Sequence, residues 1–140
     1  MNIKVYLVAD KIEKFYLEAI KEYEKRLSRY CKIQLIQVKN KNQLLKINQS
    51  KSYKILVSPK GQQISSEELA DKINSLAISG KSDIAFIIAA EKVPHEEVLS
   101  ISPMEMDLGL KATILFEQIY RSYRIINNEP VSKRACRVRA

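Results

Sequence analysis

The sequence contains little of what builds a metal centre, a disulfide framework or a glycine-rich phosphate loop. Its 140 residues include one His, two Cys, three Gly and no Trp. Cys31 and Cys136 are far apart without CxxC spacing, and one His adds no metal-ligand cluster. The chain has no P-loop or GxGxxG motif, and no apolar run approaches the length of a membrane span. We therefore expect a reduced, cytoplasmic protein that holds no metal and does not enter a membrane.

The length bounds the domain organisation. A chain of 140 residues is long enough for one domain with a real core. Its first residues already follow a strand-like pattern, so we expect no signal peptide. We predict a single α/β domain over residues 1–127 and a basic C-terminal tail over residues 128–140.

What the sequence has in excess is positive charge. Lys and Arg number 24 against 16 Asp and Glu, a formal net charge of +8. Such charge attracts phosphate oxygens, although many small basic proteins bind no nucleic acid. The positive charge of the C-terminal tail has two possible interpretations. The tail is either a disordered, solvated end or an arm that contacts RNA phosphates. Its basic residues are Lys133, Arg134, Arg137 and Arg139.

One apolar stretch organises the chain. Residues 84–89 form an unbroken apolar run entered through the polar residues 80–83. A short run of this kind is typical of a strand buried on both faces, in the middle of a parallel sheet. Pro94 then begins a helical pattern over residues 94–101, where its missing N–H costs nothing. Open α/β sheets bind ligands where such strands end, so we expect a small-molecule site at residues 89–94.

Hydrophobic periodicity predicts the remaining elements. Alternating apolar residues predict further strands at residues 3–9, 31–38 and 53–57. Three- and four-residue spacing predicts long helices at residues 11–30, 65–78 and 111–127, and a short helix within residues 39–52. Strands alternating with helices imply a three-layer α/β domain with a mainly parallel sheet.

Local signals mark several boundaries. Asp10 is expected to cap the first long helix, and Ser65 with Glu68 forms a capping box before another. Residues 79–80 end that second helix. Residues 58–62 are expected to form a loop at the end of a strand.

The last helix, at residues 111–127, has an unusually wide apolar and aromatic surface. One stripe of it should face the sheet, and the remainder needs cover, which a homodimer interface or the core of the same chain would supply. The segment before it, residues 104–110, fits a short strand or a loop. His95 has no evident nucleophile or acidic partner and is interpreted as a surface residue.

Two motifs resemble a known family. The sequence AIKEYEKRL at residues 19–27 and EQIYR at residues 117–121 resemble, in this order, the ribosomal large-subunit methyltransferase H family. The resemblance covers most of the chain and implies a SPOUT-type α/β fold with a C-terminal trefoil knot. It also implies a homodimer that binds S-adenosylmethionine and methylates N3 of a pseudouridine in large-subunit rRNA.

The resemblance transfers a small set of functional positions. Cofactor-binding positions fall on Val57, Ala89, Ala90, Leu108 and Gly109. Of these, Val57 matches an apolar position that lines the adenine pocket, and Ala89 matches the first glycine of the cofactor loop. The C-terminal helix motif falls on Glu117, Tyr120 and Arg121. For Glu117 and Arg121 an ion pair between helices or across a dimer is at least an equal alternative to a catalytic role. Arg121 and the basic tail are expected to contact RNA, and no residue is assigned to catalysis.

The chain also departs from the family pattern. Residues 88–93 read IAAEKV where the family has IGGxxG, and a β-branched Val93 suits positive φ poorly. The segment at residues 104–110 is short and lacks a Pro-His pair, and the terminal Tyr-His motif is replaced. The alternative hypothesis is therefore an inactive relative that acts as a dimeric RNA- or ribosome-binding protein. A weaker third interpretation is a dimeric scaffold whose tail only aids solubility.

Overall fold

Strands and helices alternate along the chain, as the periodicity predicts. The structure, a computed structural model, describes residues 1–47, 51–90 and 92–130. Its elements are β1 (Asn2–Val8), α1 (Lys14–Leu27), β2 (Lys32–Val38), α2 (Lys41–Ile47), β3 (Tyr53–Gln63), α3 (Ser66–Ile78), β4 (Asp83–Ile88), β5 (Glu97–Ser100) and α4 (Leu108–Ile126). The α/β class is confirmed.

The five strands form one parallel sheet in the order β2-β1-β4-β3-β5. β4 lies between β1 and β3, and its residues Ile84 to Ile88 are all buried. This confirms the interpretation of the apolar run as a central strand buried on both faces. It also places the carboxyl end of β4 at the middle of one edge of the sheet, which is the usual place for a ligand.

The two faces of the sheet are covered unequally. Side chains of α1, α3 and α4 pack with Val5, Ile55 and Phe86 in one large core cluster. On the other face a smaller cluster joins Leu44 of α2 to alternate residues of the same strands. The alternation follows from the pleat, which points successive side chains to opposite faces. The three layers are therefore present, with three helices on one side and one short helix on the other.

Several boundary predictions can be compared with the structure. The Ser65–Glu68 capping box is present, with the Ser65 hydroxyl accepting from the Glu68 N–H at 3.1 Å. α3 ends before Gly80, whose φ is +84°. The prediction for Asp10 is wrong, because α1 begins at Lys14 and its N-cap residue is Glu13, which makes no side-chain capping bond.

The helix predicted at residues 94–101 is wrong. Residues 97–100 form strand β5, which extends the sheet beyond β3. Tertiary contacts favour the strand over a helix at these residues. Leu99 is buried in the core, and the Glu96 N–H donates to the Lys54 carbonyl of β3 at 2.9 Å. Glu97 also receives the Tyr53 hydroxyl and pairs with Lys72 at 2.6 Å. A four-residue strand of this kind carries too little periodicity to be separated from a helical turn.

The loop predicted at residues 58–62 is part of β3, which runs on to Gln63. Val57 and Gln62 both align with Leu99, so residues 58–61 form a wide bulge between two paired stretches. Gly61 permits this, since a Cβ built there would lie 2.6 Å from the Leu99 carbonyl carbon. The bulge lifts Ser58 and Pro59 toward the edge of the sheet where β4 ends.

α4 begins at Leu108, three residues earlier than predicted, and Asp107 caps it by accepting from the Gly109 and Leu110 N–H groups. Residues 101–107 contain no regular helix or strand, in line with the loop interpretation of that segment. α4 packs against both α1 and α3. Much of its apolar and aromatic surface is therefore covered within the chain, as the second interpretation of that surface requires.

Candidate functional site

A cleft of about 290 Å³ opens at the carboxyl end of β4, where β3 stops pairing with β4, beside the first turn of α4. The described residues that line it come from three segments of the chain. They are Val57, Ser58, Pro59, Ala89, Ala90, Glu105, Leu108 and Lys111. Four of the five positions that the family resemblance assigns to the cofactor, Val57, Ala89, Ala90 and Leu108, are thus brought together.

Ala89 has the backbone conformation that a glycine loop would supply. Its φ is +71°, and the only other non-glycine residue with positive φ in the described chain is Asn128. The ladder pairs of β4 end at Ile88, so Ala89 is the first residue beyond the sheet. An L-residue in this region is strained by its Cβ, and such strain is typical of functional loops. The positive φ falls on Ala89 and not on Val93.

The lining of the cleft combines apolar side chains with one buried hydroxyl. Val57 and Ser58 are both buried, and Leu108 is half-buried. Ala90 is buried in the smaller core cluster, which also contains Val93. Only part of the segment predicted to bind a ligand, residues 89–94, lines the cleft. Its first two residues do so, whereas Val93 belongs to the core.

Two ionisable side chains along the cleft were not predicted, Lys111 and Glu105. Lys111 lies in the first turn of α4 and only 7% of it is exposed, whereas Glu105 precedes the helix and is exposed. The ammonium group of Lys111 makes no hydrogen bond or ion pair with any residue in the described part of the chain. A signal for it exists in the sequence, because Lys111 falls on the apolar stripe of α4 between Leu108 and Leu115.

Gly109 does not line the cleft. Its N–H donates to Asp107 Oδ1 at 2.8 Å, and a Cβ built on it would lie 2.6 Å from the ring of Tyr16. Its small size lets α4 approach the start of α1. The structure therefore gives this glycine a packing position next to the cleft.

The C-terminal helix motif lies away from the cleft. Arg121 donates from Nε to Glu117 Oε2 at 3.2 Å, an ion pair within α4. The two residues therefore pair with each other, and not with another helix of the described chain as the structural alternative predicted. Leu108 and Arg121 are separated by about 20 Å along a helix of 1.5 Å rise per residue. Arg121 therefore does not reach the cleft of its own chain.

Tyr120, the third residue of that motif, belongs to an aromatic group between α1 and α4. Its ring lies 6.0 Å from that of Tyr23 and 6.5 Å from that of Tyr30, with Arg124 positioned over it. Arg124 Nη1 also pairs with Glu129 at 3.1 Å. These contacts anchor the chain as it leaves α4. Lys133, Arg134, Arg137 and Arg139, the predicted RNA contacts of the tail, lie outside the described residues.

A second cleft, of about 350 Å³, lies between β5, α3 and α4. It is lined by apolar side chains such as Leu99 and Ile114, with Ser66 hydrogen-bonded to Gln118. No charged side chain is found among its described lining residues. It lies beyond the carboxyl ends of β3 and β5, at the outer edge of the sheet, whereas the first cleft lies at the end of the central strand β4. We therefore assign the site to the first cleft.

Across residues 1–47, 51–90 and 92–130, no three His, Cys, Asp or Glu side chains are grouped so that they could hold a metal ion. In the same ranges, no helix is both long and apolar enough to span a bilayer.

Comparison with known proteins identifies the family. Residues 1–131 match the model of a protein family described as "Predicted SPOUT methyltransferase". The "Ribosomal RNA large subunit methyltransferase H 1" of Thermoanaerobacter sp. (strain X514) is 56% identical over 133 residues, which cover 95% of this chain and all of that protein. The "Ribosomal RNA large subunit methyltransferase H" of Alkaliphilus oremlandii is 40% identical over 159 residues, again covering 95% of this chain and all of the relative.

A third relative extends the comparison. The "Putative ribosomal RNA large subunit methyltransferase H" of Methanococcus maripaludis is 39% identical over 159 residues, which cover 95% of this chain and all of that protein. The Thermoanaerobacter alignment is about 26 positions shorter than these two, so a short chain of this kind is shared with a closely similar relative. The match of the family model over residues 1–131 and the identity of these full-length relatives lead to one conclusion. This chain belongs to the SPOUT methyltransferase family.

Proposed function

We propose that this protein methylates ribosomal RNA of the large subunit with S-adenosylmethionine as the donor. The observation that carries the proposal is the family match over residues 1–131. It is supported by a full-length relative of the same short size that bears the large-subunit methyltransferase name. We further propose N3 of a pseudouridine as the acceptor, because the motifs at residues 19–27 and 117–121 resemble those of enzymes with that target.

We place the donor in the cleft at the carboxyl edge. Its volume of about 290 Å³ is close to the lower end of the range for small-molecule sites. The apolar side chains of Val57 and Leu108 suit an adenine ring, and the left-handed turn at Ala89 lets the backbone curve around a ligand. The positive charge of Lys111 complements the carboxylate of a methionyl moiety, and the negative charge of Glu105 complements its amino group. The residues present therefore fit the donor.

The contribution of the chain to the reaction is position. S-adenosylmethionine, when bound, supplies a methyl group that its sulfonium already activates. The buried residues Val57 and Ser58 close the inner end of the cleft against water, and the exposed Glu105 lies toward its mouth. Holding the methyl group in line with a ring nitrogen gives the rate gain of an intramolecular reaction.

We propose that RNA binds mainly through its phosphates. The net charge is +8, and no aromatic residue in the tail would stack on a base. Arg121 and the tail residues Lys133, Arg134, Arg137 and Arg139 are the proposed contacts. Because Arg121 lies about 20 Å along α4 from the cleft of its own chain, we also propose a homodimer in which α4 forms part of the interface. An rRNA substrate implies a cytoplasmic protein.

The inactive alternative is not favoured by the comparisons. Its main argument is the short chain and the altered glycine loop. A relative of 133 aligned residues, 56% identical to this chain, shares the short length and is named as a methyltransferase. The left-handed backbone at Ala89 further supports a loop that retains the required shape without glycine.

Calorimetric titration with S-adenosylmethionine and with S-adenosylhomocysteine tests the proposal. We expect saturable binding at micromolar concentrations and transfer of labelled methyl groups to purified large ribosomal subunits. Leu108→Glu should abolish binding, because it puts a charge into the apolar wall of the cleft. Ile78→Glu is the matched control, since Ile78 is 79% exposed and distant in the fold.

Two results would contradict the proposal. The first is the absence of both heat and thermal stabilisation at millimolar ligand, since a ligand of the native state must raise its melting temperature. The second is equal methyl transfer by the wild type and by Leu108→Glu.

A further inference from the structure

Lys111 is the least expected residue of the cleft. Only 7% of it is exposed, and it lies in the first turn of α4, where it lines the cleft together with Val57, Ala89 and Leu108. It is one of two charged residues among the described lining of the cleft, and Glu105 is the other. We infer that Lys111 binds the carboxylate of the methionyl part of the methyl donor. This inference rests on the proposed function of the cleft.

The position of Lys111 is unfavourable without an anion. Burial of an ammonium group costs free energy unless the charge is paired. Lys111 also lies in the first turn of a helix of 19 residues, where the helix dipole is positive and a cation is repelled. A residue that violates both rules at the edge of a cleft is typical of a functional site. A carboxylate in the cleft would offset both costs.

Among residues 1–47, 51–90 and 92–130, the acidic side chains near Lys111 do not supply this anion by contact. Asp107 uses Oδ1 to accept from the Gly109 and Leu110 N–H groups, at 2.8 and 3.4 Å. Glu105 is exposed and forms no ion pair with Lys111 within 4.0 Å. The Lys111 N–H is also occupied, because it donates to the Asp107 carbonyl. The Lys111 side chain is therefore the group of this turn that is available to an anion.

The size and burial of the site favour a small carboxylate over an RNA phosphate. The cleft of about 290 Å³ admits the end of an amino acid, whereas a polynucleotide backbone contacts exposed cations at the rim. Lys111 is almost fully buried and so is not placed for the latter. The amino group of the same methionyl moiety would lie toward Glu105, the acidic residue of the cleft lining.

Binding of two ligands that differ in one part tests the inference. S-adenosylhomocysteine carries the amino acid end, and 5′-methylthioadenosine lacks it. In calorimetric titrations, Lys111→Met should weaken S-adenosylhomocysteine binding by at least about tenfold, the value of one charged hydrogen bond. The affinity for 5′-methylthioadenosine should stay within about twofold. Lys111→Arg should retain most of the affinity, and Lys21→Met, on the exposed side of α1, should change neither ligand.

A ligand modification avoids dependence on the folding of any variant. The methyl ester of S-adenosylhomocysteine lacks the carboxylate charge, so the wild type should bind it at least about tenfold more weakly. Lys111→Met should bind the ester and the free acid with equal affinity. The inference is overturned if the ester binds the wild type as tightly as the acid does. It is also overturned if Lys111→Met weakens both adenosine ligands equally.

These outcomes are distinct from failure of the proposed function. If the wild type binds neither adenosine ligand, the cleft is not a donor site and both proposals fall. If the wild type binds S-adenosylhomocysteine and Lys111→Met binds it equally well, only the role of Lys111 falls. If that variant binds the donor normally but binds rRNA more weakly, the anion is an RNA phosphate and the inference is again wrong.

Discussion

Ala89 carries the backbone strain of the cleft. Its φ of +71° costs an L-residue about 1–2 kcal/mol. Ala89→Gly removes this cost and adds back about 0.4–1 kcal/mol through the freer unfolded chain. We therefore expect a net stabilisation of about 0.5–1 kcal/mol, measured as a higher midpoint in urea unfolding. Because glycine also leaves more room beside the cleft, S-adenosylhomocysteine should bind at least as tightly as before.

The other positions of the family glycine loop provide the control. Ala90→Gly should not stabilise, since Ala90 has no positive φ and its methyl group is buried. Val93→Gly should destabilise by about 2–3 kcal/mol, because Val93 is 3% exposed in the smaller core cluster and its loss leaves a cavity. Restoring all three glycines would thus lower stability even where it aids binding. Equal effects of Ala89→Gly and Ala90→Gly would contradict the role given to Ala89.

Tyr53 links stability to high pH. Its hydrogen bond to Glu97, together with burial and the charges of Glu97 and Glu96, raises its pKa from 10.0 to about 12. A tyrosine pKa that is higher in the folded protein stabilises it below pH 10, and the gain disappears as the pH rises toward 12. The stability of the wild type should therefore fall toward that of Tyr53→Phe between pH 10 and 12.

Urea unfolding at pH 8, 10, 11 and 12 on both proteins measures this difference. Absorbance at 295 nm should also show one phenol that titrates near pH 12 in the wild type and is missing from Tyr53→Phe. If the difference in stability between the two proteins does not change with pH, Tyr53 does not have the raised pKa.

At the residue scale, the site could be predicted only in part. Val57, Ala89, Ala90 and Leu108 were found through the resemblance, because motifs preserve the order of positions along a chain. Lys111 was not, since pattern analysis assigns the apolar stripe of a helix to the core and one lysine does not break the stripe. Its burial and the absence of a partner in the described chain are properties of the fold.

The bulge of β3 over β5 holds one wall of the cleft. Gly61 lies against the Leu99 backbone, and an added Cβ would be 2.6 Å from the carbonyl carbon and 2.8 Å from the oxygen. Backbone atoms cannot move away cheaply, so Gly61→Ala should destabilise by about 2–3 kcal/mol. It should also weaken S-adenosylhomocysteine binding, because residues 58–59 belong to the cleft. Urea unfolding and calorimetry measure the two effects.

Gly80 is the matched control at the end of α3. Its φ is +84°, but a Cβ built on it has no neighbour within 4 Å. Gly80→Ala should therefore cost only the backbone strain, about 1 kcal/mol, with unchanged ligand affinity. Equal losses in the two variants would show that the close approach at Gly61 does not constrain the fold.

At the element scale, prediction was reliable where an element is long or has a chemical signature. The central strand and the capped helix α3 follow from an apolar run and a Ser–Glu box. β5 was predicted as a helix, because its four residues receive their conformation from pairing with β3. The bulge at residues 58–61 was assigned to a loop for the same reason, since pairing across strands leaves no local pattern.

At the scale of the whole molecule, alternation of strands and helices was enough to predict a parallel sheet. It did not predict that three of the helices cover one face. That asymmetry follows from the order β2-β1-β4-β3-β5, which is set by long-range pairing. The same order places Val57 of β3 beside the carboxyl end of β4, so the position of the cleft is a property of the topology.

The charge distribution leads to a prediction about RNA binding. We expect each lysine or arginine that neutralises a phosphate to release a counterion, so that affinity falls steeply with salt. Replacing Lys133, Arg134, Arg137 and Arg139 with Gln lowers the formal net charge of +8 by four. If all four contact phosphates, the slope of log K against log salt should decrease in magnitude by about 3. Titration of large-subunit rRNA between 50 and 200 mM KCl measures the slope.

A control with the same change in charge separates contact from general attraction. Lys4, Lys32, Lys51 and Lys81 are exposed near the amino ends of the strands, across the sheet from the cleft. Their replacement with Gln also removes four charges, but it should change the slope by less than about 1, because contacts and not net charge release most counterions. Equal slopes for the two quadruple variants would mean that RNA senses only the overall charge. A reduced slope for the tail variant alone would instead make the tail an arm that contacts the RNA phosphates.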